Sequence, residues 1–291
     1  SLEWSKEGEH VRRSIRVAIE DWNADVIRLA VADRFWFGRG ENQYRGNPYR
    51  QLVDEAIATA AERGAYLVLD LHDYVAPRPE QVTFWTDAAR RYKNHPAVIF
   101  GLLNEPHGVS WDVWRDGGTV RRDDGRFESP GMQGVLDAVR ETGANNLVTA
   151  SGLEYGYKLS GVLDGYALRD PGGRGVVYES HPYPWKDNWK ESFVDVSEEH
   201  PIFIGEIGAP KERFDFIPPS AHEAPETFVP DALGLIQKHR LNWTGWSFHP
   251  AAAPVLLENW DYEPTEHWGR PAKEALGGMR FNDDISEEEY R

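Results

Sequence analysis

Two hydrophobic patterns alternate along this chain. Short apolar runs bounded by polar or turn residues read as strands buried on both faces. The first three are Val26-Ile27-Arg28-Leu29-Ala30-Val31, Tyr66-Leu67-Val68-Leu69-Asp70-Leu71-His72, and Val98-Ile99-Phe100-Gly101-Leu102-Leu103 running on into Asn104-Glu105-Pro106. Four more lie at 146–151, 176–181, 202–206 and 244–248. Between them apolar residues recur at helical spacing. Val11, Ile15, Ala18 and Ile19 share one face of a helix that Asn23-Ala24-Asp25 ends, 52–63 form a helix stopped by Gly64, and 82–92 form a third.

Strands alternating with helices imply right-handed crossovers and a parallel sheet. Seven strands can be counted, and a closed barrel of this kind has eight. The chain opens on a loop-like stretch feeding a helix. The expected fold is therefore α/β, a (β/α)8 TIM barrel whose first strand precedes Ser1. Residues 1–291 are expected to form one domain, with an acidic tail at 282–291 that is mobile or loosely packed. A seven-stranded or open sheet is the alternative.

In a barrel the chemistry sits at the carboxyl ends of the strands, and two runs end there in glutamate: Leu103-Asn104-Glu105-Pro106 and Ile204-Gly205-Glu206-Ile207-Gly208. They belong to the third and sixth countable strands. Strands three places apart face each other across the mouth, so Glu105 and Glu206 are expected to converge. Such a pair suits glycoside hydrolysis, one carboxyl protonated and one ionised. A gap of about 5 Å gives retention and a wider one inversion. Other strand ends supply supporting groups. Arg28 suits holding Glu206 ionised and Tyr183 donating to it, while Asn104 suits a sugar 2-hydroxyl. His72 and His181 suit orienting substrate and tuning Glu105, and Trp246 suits a floor under the sugar. Glu179, two positions before His181, reads as a buried acid bonded inside the barrel.

Composition narrows the partners. A formal net charge of -16 repels nucleic acid and anionic membrane. No apolar run approaches the roughly 18 residues that span a bilayer. The chain has no cysteine, which removes disulfides and thiol catalysis. Twelve tryptophans suggest sugar-stacking platforms as well as core, with Trp36, Trp111, Trp114, Trp185, Trp189, Trp260 and Trp268 as the loop candidates. A metal site on His72-Asp73 lacks further ligands at suitable spacing, and neither metal nor cofactor is expected.

The motifs Val26-Ile27-Arg28-Leu29, Leu71-His72-Asp73, Leu103-Asn104-Glu105-Pro106, His181-Pro182-Tyr183, Ile204-Gly205-Glu206-Ile207-Gly208 and Trp246-Ser247-Phe248 come in an order that resembles glycoside hydrolase family 5. The resemblance spans roughly 22–250. It implies a retaining (β/α)8 enzyme with Glu105 as acid/base and Glu206 as nucleophile. The activity it implies is cleavage of a β-glucan of the cellulose type by endo action, with β-mannan next. An exo-acting β-glycosidase of the same mechanism, or a barrel that binds glycan without cutting it, are the alternatives. The substrate is then an oligo- or polysaccharide, the protein a secreted or periplasmic monomer, and the signal peptide lies outside this sequence. The long segments 35–48, 111–131 and 210–230 are expected to be loops.

Overall fold

A computed structural model describes residues 10–40, 46–123, 125–282 and 290. The seven expected strands are present: β1 (Val26–Val31), β2 (Tyr66–Leu71), β3 (Val98–Gly101), β4 (Val148–Ser151), β5 (Val176–Ser180), β6 (Ile202–Ile207) and β7 (Asn242–Gly245). They pair in chain order as one parallel sheet that curls into a nearly closed barrel. No eighth barrel strand occurs among the described residues. Between β7 and β1 runs a cleft lined by Ile15, Trp22, Ile27, Trp243 and Leu256, across which helix α1 (Val11–Glu20) lies.

The period of two in a strand separates two layers. In β2, Leu67, Leu69 and Leu71 join the apolar cluster that also contains Val53 and Ala56 of α2 (Asn47–Ala61) and Phe84 and Trp85 of α3 (Pro79–Tyr92). Asp70 and His72 point the other way, into the barrel. Helices α4 (Gly131–Glu141), α5 (Asp195–Glu199), α6 (Pro225–Lys238) and α7 (Gly269–Leu276) complete the outer layer.

Several boundaries differ from the sequence reading. Helices α2 and α3 begin earlier than expected, and α6 starts inside the segment 210–230 expected as a loop, each with a proline in its first turn, where the missing N–H is not needed. So Pro48 and Pro225 belong to helices and not to the loops 35–48 and 210–230; residues 41–45 lie outside those described. Segment 111–131 is also structured, as a helix Trp111–Asp116 capped by Ser110 and an antiparallel hairpin, Gly118–Arg122 with Gly125–Ser129.

Strand β3 ends at Gly101, short of the expected Glu105. Glu105–Pro106 instead pairs with Tyr74–Val75 beside the barrel mouth. Pro106 fits because its neighbours do the donating, Glu105 N to Asp73 O at 3.1 Å and His107 N to Val75 O at 3.0 Å. Of the acidic tail, Asn282 bonds Asp231 on α6 and Tyr290 bonds His239 just after it; 283–289 and 291 lie outside the described residues.

Gly117 and Gly131 close the base of the hairpin excursion with φ of +82° and +68°. A Cβ at Gly131 would collide with the carbonyl of Arg115 and the amide of Gly117. Gly131→Ala is predicted to destabilise the fold by about 1–3 kcal/mol. An unchanged urea midpoint and slope would contradict this close approach.

Candidate active site

The barrel mouth is organised around a buried cation. Arg28, third in β1, has a side chain only 4% exposed. Its Nη1 donates to Glu206 Oε1 at 2.8 Å and its Nη2 to Asn104 Oδ1 at 2.8 Å. The same Nη2 lies 3.1 Å from Asp70 Oδ1, and Nε lies 2.8 Å from Glu179 Oε1. Removing a guanidinium from water costs several kcal/mol unless it is paired in this way.

Three buried carboxylates, Asp70, Glu179 and Glu206, thus face one guanidinium. Two imidazoles supply the remaining positive charge. Asp70-Leu71-His72 and Glu179-Ser180-His181 repeat one arrangement on β2 and β5: acid and histidine two positions apart, hence on one face. His72 Nδ1 meets Asp70 Oδ2 at 2.8 Å. His181 Nε2 meets Glu179 Oε1 at 3.0 Å, and its Nδ1 meets Glu105 Oε1 at 3.2 Å. Burial opposes a charge on either ring, but the carboxylates outweigh it. Asp70, with Glu206, raises His72 above its ordinary value; Glu206, Glu105 and Glu179 push His181 up to about 9. With both rings protonated the layer is electrically neutral.

Glu206 receives a further bond from the Tyr183 hydroxyl at 2.7 Å. Burial would raise its pKa, but His181, Arg28, His72 and this bond hold it below the usual carboxylate range. Burial and the Glu206 charge keep the Tyr183 phenol far above its ordinary value, so it remains a donor. Glu105 differs in exposure, its side chain 16% accessible against 4% for Glu206. One oxygen of each carboxylate and a ring nitrogen of His181 lie within 4.8 Å of one another. A single ion could span that distance, but both nitrogens of His181 already face carboxylates and leave no lone pair for a metal.

Arg28 fixes the Asn104 amide with its oxygen inward, which turns the Nδ2 donor toward the mouth. Trp246 follows β7 and stacks on His72 at 5.1 Å with the rings 1° from parallel. Of the two histidines suited to tuning Glu105, His181 reaches it, whereas His72 bonds Asp70 and supports Trp246. All eight expected residues therefore meet at the mouth.

Most loop tryptophans are not platforms. Trp36, Trp114, Trp189 and Trp268 are fully buried, their indole N–H groups bonded to Asp87, Ser151 O, Lys186 O and Trp246 O. Trp111 packs against Trp114 and Tyr166, and Trp260 stacks on His10 beside the β7–β1 cleft. Trp185 remains, stacked on Tyr183 at 4.8 Å and edged by the exposed Phe216. On the Glu105 side, exposed Tyr155 stacks on His107 at 3.9 Å, with Tyr74 at the edge of the same ring.

The sequence reading left Asp70, Glu179 and Gly205 outside the site. The repeated acid-x-His pattern was the available signal for the two acids. Gly205 is needed because a Cβ there would collide with the Glu179 carboxylate.

Barrel, strand-end acids and supporting cation together form a candidate catalytic centre. Residues 1–252 match the family model described as Cellulase (glycosyl hydrolase family 5), and the chain belongs to that family. Endoglucanase MaCel5A of Microbulbifer sp. (strain ALW1) is 23% identical over 92% of this chain and 50% of its own length. An endoglucanase of Paenibacillus polymyxa is 27% identical over 78% of this chain and 64% of its own. The chain spans about half the length of such curated relatives. Among solved structures, β-glucanase SdGluc5_26A of Saccharophagus degradans in complex with cellotetraose superimposes with a TM-score of 0.76 at 20% identity, over 92% of this chain and 82% of that one.

The charge layer predicts how stability depends on pH. His181, raised from 6.5 to about 9, contributes stability that is complete below 6.5 and lost as pH rises through 9. Glu179 is held down from 4.5 to about 2, burial being outweighed by Arg28 and His181, so its contribution is complete above 4.5 and lost as pH falls toward 2. Thermal midpoints are expected to be highest between about pH 4.5 and 6.5. A midpoint that stays level from neutral pH to beyond 9 would contradict the protonated His181.

Proposed function

We propose that this chain is an endo-acting, retaining hydrolase of β-1,4-linked glucans. The observation that carries the reading is the pairing of a buried, ionised Glu206 with a more accessible Glu105 whose oxygen lies within 4.8 Å of it. That spacing suits double displacement and leaves too little room for the interposed water of an inverting enzyme.

In the first step a Glu206 oxygen forms a bond to the anomeric carbon as the bond from that carbon to the leaving oxygen breaks. Glu105 gives its proton to that oxygen. In the second, water attacks the same carbon, its proton returns to Glu105, and Glu206 leaves as carboxylate. With its oxygen taken by Arg28, Asn104 keeps Nδ2 to donate to the sugar 2-hydroxyl and hold the ring in position. Trp246 gives the sugar at the point of cleavage an apolar face.

The endoglucanase names of the relatives and the cellotetraose held by SdGluc5_26A support a glucan of the cellulose type. Aromatics beside both acids, half-buried Trp185 with exposed Phe216 and exposed Tyr155 with half-buried His107, suit a cleft that grips a chain on each side of the cut. A polymer of that size does not cross a cell membrane unaided, which favours action outside the cytoplasm.

Glu206→Gln is predicted to lower kcat on soluble β-1,4-glucan by about 10⁴-fold or more with the fold retained. Wild-type turnover in that variant would remove Glu206 from its role. The first-formed product, followed by proton NMR, is expected to be the β-anomer; initial release of the α-anomer would mean inversion. A parallel panel with β-mannan assigns the sugar, glucan being the expected substrate.

A further inference from the structure

Glu179 has no part in the two bond-exchange steps, yet it is buried at the centre of the charge layer. Its Oε1 is shared between Arg28 Nε at 2.8 Å and His181 Nε2 at 3.0 Å. His181 is fully enclosed. Its other nitrogen faces Glu105 Oε1 at 3.2 Å, with Glu206 Oε2 at 3.9 Å. Arg28 approaches from β1 and Tyr183 from the segment after β5. Gly156, at φ +73°, lies so close that a Cβ there would come within 2.6 Å of Nδ1. The ring therefore has little room to turn.

We propose that Glu179 is a positioning residue that keeps His181 doubly protonated, so that one N–H is always aimed at the acid/base carboxylate. The proposal rests on the roles given above to Glu105 and Glu206. Two features of the structure carry it. A neutral imidazole has one N–H and one lone pair, so whenever Glu105 is ionised a lone pair would face a carboxylate oxygen at one of its two contacts; only the imidazolium donates to both in every state of the cycle. And residue 205, directly before the nucleophile, has no side chain where a Cβ would occupy the space of the Glu179 carboxylate.

The function follows from charge. During the first step Glu105 passes from neutral to anionic, and a fixed N–H donor stabilises the charge as it appears. The donor also keeps its aim when Glu105 takes a proton from water. If Glu179 becomes an amide, the layer loses one negative charge, and neutrality returns when His181 releases a proton. The ring then has a single N–H for two partners. The raised affinity of His181 for its proton in the intact protein agrees with this account.

The test combines NMR of the imidazole nitrogens with kinetics, on the wild-type chain and on Glu179→Gln, which keeps shape and removes charge. Wild-type His181 is expected to remain imidazolium from acid pH to about pH 8, and in Glu179→Gln to titrate near the ordinary histidine range. kcat/KM of the variant should stay within about threefold of wild type near pH 5 and fall about tenfold or more near pH 8, a profile that a purely structural defect would not produce. Glu179→Asp should restore part of the alkaline activity. A wild-type His181 that is neutral at pH 7 overturns the proposal, and so does a variant with an unchanged His181 titration and the same fractional loss at every pH. The wild-type titration decides even if Glu179→Gln fails to fold. Being independent of turnover, it also separates failure of this proposal from failure of the hydrolase assignment.

Discussion

The mouth of this barrel depends on neutralising one guanidinium in a place without water. Arg28 lies inside the sheet, where an uncompensated cation would be destabilising by several kcal/mol. Its planar guanidinium dictates what surrounds it: Nη1 donates to Glu206 and Nη2 to Asn104, while the carboxylates of Asp70 and Glu179 pair with it by charge at 3.1 and 2.8 Å. Three carboxylates overcompensate a single cation, which in turn requires two protonated histidines. The charge on Glu206, the orientation of the Asn104 amide and the state of His181 are consequences of one electrostatic condition.

The parallel barrel is well suited to meeting that condition. Alternation along β2 and β5 places acid and histidine on the inner face and leaves Leu69, Leu71 and Tyr178 in the apolar layer. Exposure then divides the labour between the two glutamates. Glu206 sits on β6 and is locked by three neighbours, so it stays ionised. Glu105 has left its barrel strand for a two-residue pairing with Tyr74–Val75, where its carboxyl reaches solvent and can exchange a proton. The premature end of β3 at Gly101 is therefore part of the site.

Much of this was legible in the sequence, because it rests on period and position. Apolar runs located the seven strands, and the acids at their carboxyl ends located Glu105, Glu206 and six supporting residues. What escaped has identifiable physical causes. Prolines in first helical turns look like loop residues until the helix is seen to need no N–H there, which hid the starts of α2 and α3 and the part of α6 that lies within 210–230. Tryptophans in polar segments look like sugar platforms, but Trp36, Trp114, Trp189 and Trp268 each satisfy an indole N–H inside the core. Asp70-Leu71-His72 and Glu179-Ser180-His181 mark the two acids locally as partners of histidines, but their shared hold on one guanidinium depends on strands far apart in the chain.

The central claim is that this layer makes Glu206 the nucleophile. The most direct measurement is covalent trapping with a 2-deoxy-2-fluoro β-cellobioside carrying a good leaving group, followed by peptide mapping by mass spectrometry. The account predicts one added 2-fluorocellobiosyl group per chain, carried on the peptide containing Glu206 and lost slowly as activity returns. Labelling of Glu105 or of another residue, or turnover of the reagent with no accumulated adduct under conditions where its unfluorinated parent is cleaved, would contradict it.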